Sequence, residues 1–565
     1  MQDKIQNLIS SALKNLEIEE VDFVVEHPED FKNGDYSTNI AMVCAKKIKT
    51  NPKDLAEKIA NEIGKNLTKE VEKVEAVGGF INFYLSQEFF KHSVEDILNK
   101  KDFAENKLHT AKNIMIEYTD PNPFKPFHIG HLMTNAIGES IARILENSGA
   151  KVSRANYQGD VGLHVAKAVY GLLKNKKLQD DSVATSLQAE NIGKAYAMGS
   201  EAYTENKHEI DEINKKVYSR SDDEINKIYD WGLKVTMNAF EDIYDMLGTQ
   251  FDFYFLESLM APIGEKIVRE NLGKIFEESD DAIVFKAEKY DPKLHTRVFI
   301  TSQGLPTYET KELGLAKEKF KTKPDTNLSI VVTANEQADY MKVVAKALSL
   351  IHPEYENKMK HITHGMMRFA EGKMSSRKGN VITGEVLIND TKNLVNEKMK
   401  DKNFGYDENT EIVSKVAVAA IKYSILKQST GGDIMYDFEK SISFEGDSGP
   451  YLQYSYARAS SVLEKAQKEN ILPDPHVSLP EVTEVEKLLY RFPEVVRRAA
   501  EEYEPHYIAN YLIELARSFN SFYGNNIIVS KDDKTSSYKV ALTYAFSFVM
   551  KKGLHLLGID APVRM

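Results

Sequence analysis

Apolar residues recur at helical spacing from the start of the chain. Ile5, Leu8, Ile9, Leu13 and Leu16 share one face and predict an amphipathic helix. The turn-forming run Asn33-Gly34-Asp35-Tyr36-Ser37 follows, then a second helix near 54–63. After Gly78-Gly79 the period changes to two in Phe80-Ile81-Asn82-Phe83-Tyr84-Leu85, the mark of a half-buried strand. Residues 1–100 therefore read as a small α+β unit, and the polar run 99–106 as a linker. Beyond it, 113–118 predicts a buried strand, interrupted by the rigid Pro121-Asn122-Pro123 and Pro126. Leu132, Ile137, Ile141, Ile144 and Leu145 then predict a helix stopped by Gly149, with a second strand at 151–157. Strand, helix and strand make a βαβ unit, so 110–410 reads as an α/β domain. Charge-rich helical pattern (209–228, 231–247) separates this unit from a later strand at 328–332, and 175–300 reads as an insertion in the same fold. From 411 to 565 the pattern is helical almost throughout, and no internal repeat or low-complexity tract is visible.

A length of 565 residues agrees with several domains, and 42% hydrophobic with 28% charged residues places the chain among globular proteins. No window approaches 18 consecutive apolar residues, and Met1-Gln2-Asp3-Lys4 does not open a basic-then-apolar leader, so a cytoplasmic protein with no membrane association is expected. Cys44 is the only cysteine, which excludes an internal disulfide and any zinc site built on two thiolates. The net charge of −12 argues against a coat for polyanions and leaves room for a local basic groove.

Two short motifs carry chemistry. His128-Ile129-Gly130-His131 stands at the loop-to-helix junction of the βαβ unit, where free backbone N–H groups and the positive helix end favour phosphate. Gly130 admits close approach of a ligand to the backbone, and two imidazoles on one face can donate to developing negative charge. Lys373-Met374-Ser375-Ser376-Arg377-Lys378 packs three cations into a small-residue loop suited to polyphosphate oxygens. A parallel sheet brings such distant segments together outside the carboxyl ends of its strands.

Together the two motifs resemble the signatures of class I aminoacyl-tRNA synthetases. The stretch from Glu117 through Pro121-Asn122-Pro123-Phe124-Lys125 to His131 resembles the arginyl-tRNA synthetases specifically. So do Asn156-Tyr157-Gln158-Gly159-Asp160-Val161-Gly162, the run from Gly449 to Arg458 and the terminal Asp560-Ala561-Pro562-Val563-Arg564-Met565. The resemblance spans nearly the whole chain and is weakest over 175–300. It implies a Rossmann-like catalytic domain, a small N-terminal domain contacting tRNA and an all-α anticodon-binding domain. It further implies ATP-dependent activation of L-arginine to arginyl-adenylate, then transfer to the 3′ end of tRNA(Arg), with Mg²⁺ accompanying ATP, no dedicated protein metal site and a monomeric enzyme.

By the same resemblance His128, His131, Lys373, Arg377 and Lys378 act on the phosphates, and Lys125, Gly130, Met374 and Ser375 complete the ATP site. A guanidinium with five donors calls for carboxylates and neutral acceptors. Glu117, Asn122, Tyr308, Glu312 and Gln337 hold those positions, Asn122 and Gln337 toward the α-amino or carboxylate end, Tyr308 and Glu312 toward the side chain. Tyr451, Tyr454 and Arg458 offer stacking faces and a phosphate contact for tRNA. Two departures from the family pattern leave choices open. Ser376 stands where a second lysine is usual, so Arg377 or Lys378 supplies that charge. Glu312 stands where Asp is usual, so Glu309 is an alternative. A lysine-specific relative and a catalytically silent tRNA binder are the rival readings.

Overall fold

The computed structural model describes residues 1–19, 21–369, 383–400, 404–477 and 479–565. They form two compact units. One comprises Ala104–Ala457, Glu494–Glu514 and Met550–Met565, the other Met1–Phe103, Arg458–Pro493 and Leu515–Val549.

The larger unit is organised on five strands: β1 (Asn113–Glu117), β2 (Lys151–Gln158), β3 (Phe253–Leu256), β4 (Leu328–Ala334) and β5 (Met359–His364). Their order is β5-β4-β1-β2-β3, and every neighbouring pair is parallel. Ile114, Met115 and Ile116 of β1 and Ile330, Val331 and Val332 of β4 are all buried, as strands covered on both faces require. The winding reverses between β1 and β4, where Glu117 pairs with Val331. That reversal is the topological switch point, and it opens a crevice at the carboxyl ends of both strands. Of the helices α1 (Ile129–Asn147), α2 (Asp223–Leu247), α3 (Glu257–Glu270), α4 (Tyr308–Thr322) and α5 (Ala338–Ile351), four contribute to the crevice wall and α2 lies off it. Contact between α3 and α4 is close because Gly264 and Gly314 face carbonyls. A Cβ at Gly264 would stand 1.9 Å from the Thr310 oxygen, and one at Gly314 2.2 Å from that of Met260.

Behind α1 lies a buried polar network. The Glu139 carboxylate accepts from Tyr118 OH at 2.5 Å, Arg143 Nε at 2.7 Å and Arg154 Nε at 2.9 Å. Residues 550–565 close the same face: Ser140 Oγ donates to the Leu556 carbonyl at 2.8 Å and Arg143 Nη1 to that of His555 at 3.1 Å. Lys422, fully buried, donates to the Leu247 and Gly558 carbonyls at 2.6 and 2.7 Å at two helix C-termini, and burial pushes its amine down to about 7.

In the smaller unit the strands Val25–Glu26, Tyr36–Thr38, Phe80–Leu85 and Val71–Val77 form an antiparallel sheet in that order. The helices Gln2–Asn15 and Pro52–Gly64 cover it with Ile5, Ile9, Leu55 and Ile59 around Phe83. The helices His506–Asn525 and Ser536–Leu556 meet through Phe519 and Phe546, stacked at 3.8 Å.

The stretch 175–300 is not one block. Helices fill it up to Leu247, but Phe253–Leu256 is the sheet's own edge strand, and three short antiparallel strands follow between Glu277 and Ile300. Four apolar residues are too few for periodicity to separate a strand from a helix. The helix break falls at Arg220, with a left-handed φ of 54°, and not between Ile228 and Trp231.

Candidate active site

The crevice holds a cavity of about 440 Å³. Glu117, Asn122, His128, Gly130 and His131 line it from the β1 side, and Tyr308, Glu312 and Gln337 from the other. The fold thus brings together eight residues singled out in the sequence, drawn from four separate segments.

The imidazole end is built at the first turn of α1. The His128 backbone N–H donates to His131 Nδ1 at 3.2 Å, and the two rings stack with centroids 3.4 Å apart. Desolvation, followed by the charge of Lys125, pushes His128 down to about 4, and burial with both neighbouring groups pushes His131 well below its ordinary value. Both rings are therefore neutral at pH 7. Because His131 accepts a proton at Nδ1, its own proton sits on Nε2, which is a donor. Gly130 has no room for a side chain: a Cβ there would stand 2.9 Å from His128 Cε1.

The opposite end is rich in carboxylates. Glu117 forms a buried ion pair with Lys319, and Glu257 one with Lys311 at 2.9 Å. Glu312 lies one helical turn after Tyr308 on the same face of α4 and makes no ion pair among the described residues, with the charge of Lys319 acting on it from a distance. Burial, then the charge of Glu117, pushes its carboxyl up to about 8. Asp120 is likewise raised well above its ordinary value by burial and Glu117, although it accepts from the Tyr157 backbone N–H at 2.7 Å. Glu309 is turned off the cavity wall and accepts from Arg297 Nη1 at 3.4 Å. This end is short of cations and has room for one.

Several residues line the cavity that sequence reading did not single out as site residues: Asp120, Tyr157, Glu257, Tyr340 and His364. The Tyr340 hydroxyl donates to Gln337 Oε1 at 3.2 Å. The Tyr157 hydroxyl and His364 Nε2 are buried and have no hydrogen-bond partner among the described residues. Tyr157 stood inside a quoted motif, whereas Tyr340 and His364 gave no signal, since single aromatics and histidines are usual in a core.

Other expected residues lie elsewhere. Lys125 is off the cavity wall, its Nζ 5.5 Å from the Tyr196 ring centroid. Lys373, Met374, Ser375, Arg377 and Lys378 fall outside the described residues. Description resumes at Thr383, which bridges to His128, and the Gly384 N–H donates to the Phe127 carbonyl at 2.7 Å. Tyr451 and Tyr454 are half-buried on the helix Gly449–Lys468, with Tyr454 edge-on to Phe444 at 6.3 Å. Arg458 donates to Asn520 Oδ1 and lies 4.9 Å from the Tyr523 ring centroid. Among the described residues no cluster of three His, Cys, Asp or Glu side chains is arranged to hold a metal ion, and no helix is long and apolar enough to cross a membrane.

Comparison with known proteins agrees with this arrangement. Residues 93–438 match the family described as tRNA synthetases class I (R), catalytic domain. Residues 452–565 match the DALR anticodon binding domain, and 3–85 the arginyl tRNA synthetase N terminal domain. An arginine–tRNA ligase of Clostridium perfringens is 30% identical over 99% of this chain and 100% of its own length. One of Halothermothrix orenii is 31% identical over 100% and 99%. Among solved structures, the arginyl-tRNA synthetase of Thermus thermophilus superimposes with a TM-score of 0.83 at 25% identity, each chain fully covered.

Proposed function

The chain belongs to the arginyl-tRNA synthetases of class I, and from that premise we propose how its cavity carries out the family's reaction. That reaction is arginine–tRNA ligation. ATP and L-arginine give arginyl-adenylate and pyrophosphate, and the arginyl group then passes to the 3′ end of tRNA(Arg) with release of AMP. Activation is an in-line attack of the arginine carboxylate on the α-phosphorus, so catalysis rests on positioning and charge stabilisation.

The guanidinium is assigned to the carboxylate end, with Glu312 its main partner and Tyr308 over it. Asn122 and Gln337 take the α-amino and carboxylate groups, and Glu117, neutralised by Lys319, shapes the wall between them. The triphosphate is assigned to the turn at His128, Gly130 and His131, where His131 Nε2–H donates to the charge that develops on the phosphoryl oxygens. Lys125 supplies charge from outside the wall. Lys373, Met374, Ser375 and Arg377 or Lys378 close over the pyrophosphate in this reading, supported by the anchoring of Thr383 beside His128. Mg²⁺ enters on the phosphates of ATP rather than in an all-protein cage. The tRNA contacts at Tyr451, Tyr454 and Arg458, the boundaries 1–100, 110–410 and 411–565, a monomeric state and a cytoplasmic location belong to the same reading.

The observation that carries it is the sharing of one switch-point cavity by two neutral imidazoles and an unpaired, proton-holding carboxylate. The test is aminoacylation of total tRNA with arginine, lysine or glutamate in parallel, in wild type and His131→Ala. Charging with arginine only, lowered about 10²–10³-fold in turnover by the substitution, is expected for loss of one electrostatic donor. Charging with lysine refutes the pocket, and an undiminished rate removes His131 from it.

A further inference from the structure

The backbone between β1 and α1 is held in an unusual state, and the residues that hold it come from α2. Thr119, Asp120 and Phe124 have φ values of 80°, 46° and 67°. In that region a Cβ crowds the following carbonyl, so such residues persist only where the surroundings over-determine them. For Phe124 the surroundings are explicit. Its side chain is fully buried, and its ring stacks on Tyr229 of α2 with centroids 5.8 Å apart and planes at 27°. The ring edge rests on Gly232, one turn later, where a Cβ would stand 2.2 Å from Phe124 Cε1 and 2.8 Å from Cζ. Only a residue with no side chain leaves that seat open.

The same helix reaches the site at two more points. The Tyr229 hydroxyl donates to Asp160 Oδ2 at 2.6 Å, and Asp160 also accepts from the Ser258 backbone N–H and hydroxyl at 2.9 and 2.6 Å. That fixes the first turn of α3, from which Glu257 faces the cavity. Farther along, Phe240 and Tyr244 flank Phe127 at 6.0 and 6.4 Å, and the Phe127 ring lies 5.2 Å from His131. Two of these three routes from α2, through Phe124 and Phe127, end on the segment that carries Asn122, Lys125 and His128, and the third ends on α3 at Glu257.

We propose that α2 is a splint for the catalytic loop, with Gly232 and Tyr229 as positioning residues that seat Phe124 and thereby fix Asn122, Lys125 and the two histidines. The proposal rests on the reading of this cavity as the site of arginine and ATP, and it assigns a catalytic task to part of the inserted helical stretch.

The experiment is Gly232→Ala, assayed by arginine-dependent ATP–pyrophosphate exchange with tRNA present and by thermal melting. A shift of the loop by about an ångström lowers turnover by roughly 10–10²-fold. The KM for arginine is expected to rise by less than turnover falls, because Asn122 moves with the loop while the guanidinium partners on α4 are untouched. Phe124→Leu removes the ring atoms that the new methyl meets, so the double variant is expected to recover most of the turnover lost in Gly232→Ala. Losses that instead multiply as independent effects overturn the proposal, as does wild-type turnover in Gly232→Ala with an unchanged melt. Should Gly232→Ala fail to fold, Tyr229→Leu decides: turnover reduced by more than the KM for arginine rises supports the splint, and wild-type turnover refutes it. His131→Ala run alongside separates the two levels. Full activity there sinks the reading of the site and the splint with it, whereas loss there with no loss in the α2 variants sinks the splint alone.

Discussion

Two glutamates of the larger unit, buried Glu139 and half-buried Glu312, have the same chemistry and opposite fates. Burial acts to raise both. Around Glu139 the charges of Arg154 and Arg143 and the hydrogen bonds from Arg154 and Tyr118 outweigh it, and the carboxyl is held below its ordinary value. Around Glu312 the nearest strong influence after burial is another carboxylate, Glu117, and the group is pushed up to about 8. One network is complete within the protein. The other makes no ion pair among the described residues, and in the proposed reading the substrate's guanidinium supplies that partner.

Breaking the finished network is expected to give the largest effect. Glu139→Leu removes the anion at the centre of the network, leaving Arg154 to Glu146 and Arg143 to backbone carbonyls, and should cost about 3 kcal/mol of folding free energy, read by denaturant unfolding. A loss under about 1 kcal/mol would show that the network is dispensable. Glu312→Gln should not lower stability and should raise the KM for arginine by about 10²-fold, the scale for losing one partner of a desolvated charge pair. An unchanged KM would move the guanidinium elsewhere, and a large fall in stability would erase the contrast.

The next expectation concerns pH. A guanidinium binds the ionised carboxylate, so binding expels the proton that free Glu312 holds below about 8. Arginine affinity should therefore rise by nearly tenfold per unit as pH climbs from about 6 to 7.5, then level off above 8. Glu312→Gln should flatten the profile, and a flat wild-type profile would contradict the assignment. The sign for stability is opposite. Folded Glu312 keeps a proton that the unfolded carboxyl has lost, so the free protein loses this contribution as pH rises from about 4.5 to 8. The smallest effect is Tyr308→Phe. This residue is 66% exposed, and removal of its hydroxyl should raise the KM for arginine about three- to tenfold, the worth of one neutral hydrogen bond.

The contrast also marks what the chain disclosed before folding. Period and length revealed β1, α1, β2 and β4, because long apolar runs bounded by Gly149 and the proline cluster have few alternatives. Phe253–Leu256 was hidden by its brevity. The histidine motif and Glu312 were legible through resemblance, whereas only the folded α4 shows that Glu312 lines the cavity with Tyr308 and Glu309 does not. Asp120, Tyr340 and His364 could not be read, since their places depend on where β1, β4 and β5 end together rather than on any local pattern. The pairing of Glu117 with Lys319 joins a strand end to a helix interior 202 positions away, and no spacing rule connects such residues.

The closure of α1 by residues 550–565 has a consequence in time. Ser140 and its partner Leu556 are 416 positions apart. At synthesis rates of about 5–20 residues per second, α1 emerges roughly 20–80 s before the segment that covers its back. During that interval the Ser140 hydroxyl and the Arg143 guanidinium face solvent or a chaperone, and the sheet is assembled around a helix whose far side is still open. Ribosome-bound chains halted before residue 550 should therefore be cut by protease along α1, and release of the full chain should abolish the cleavage.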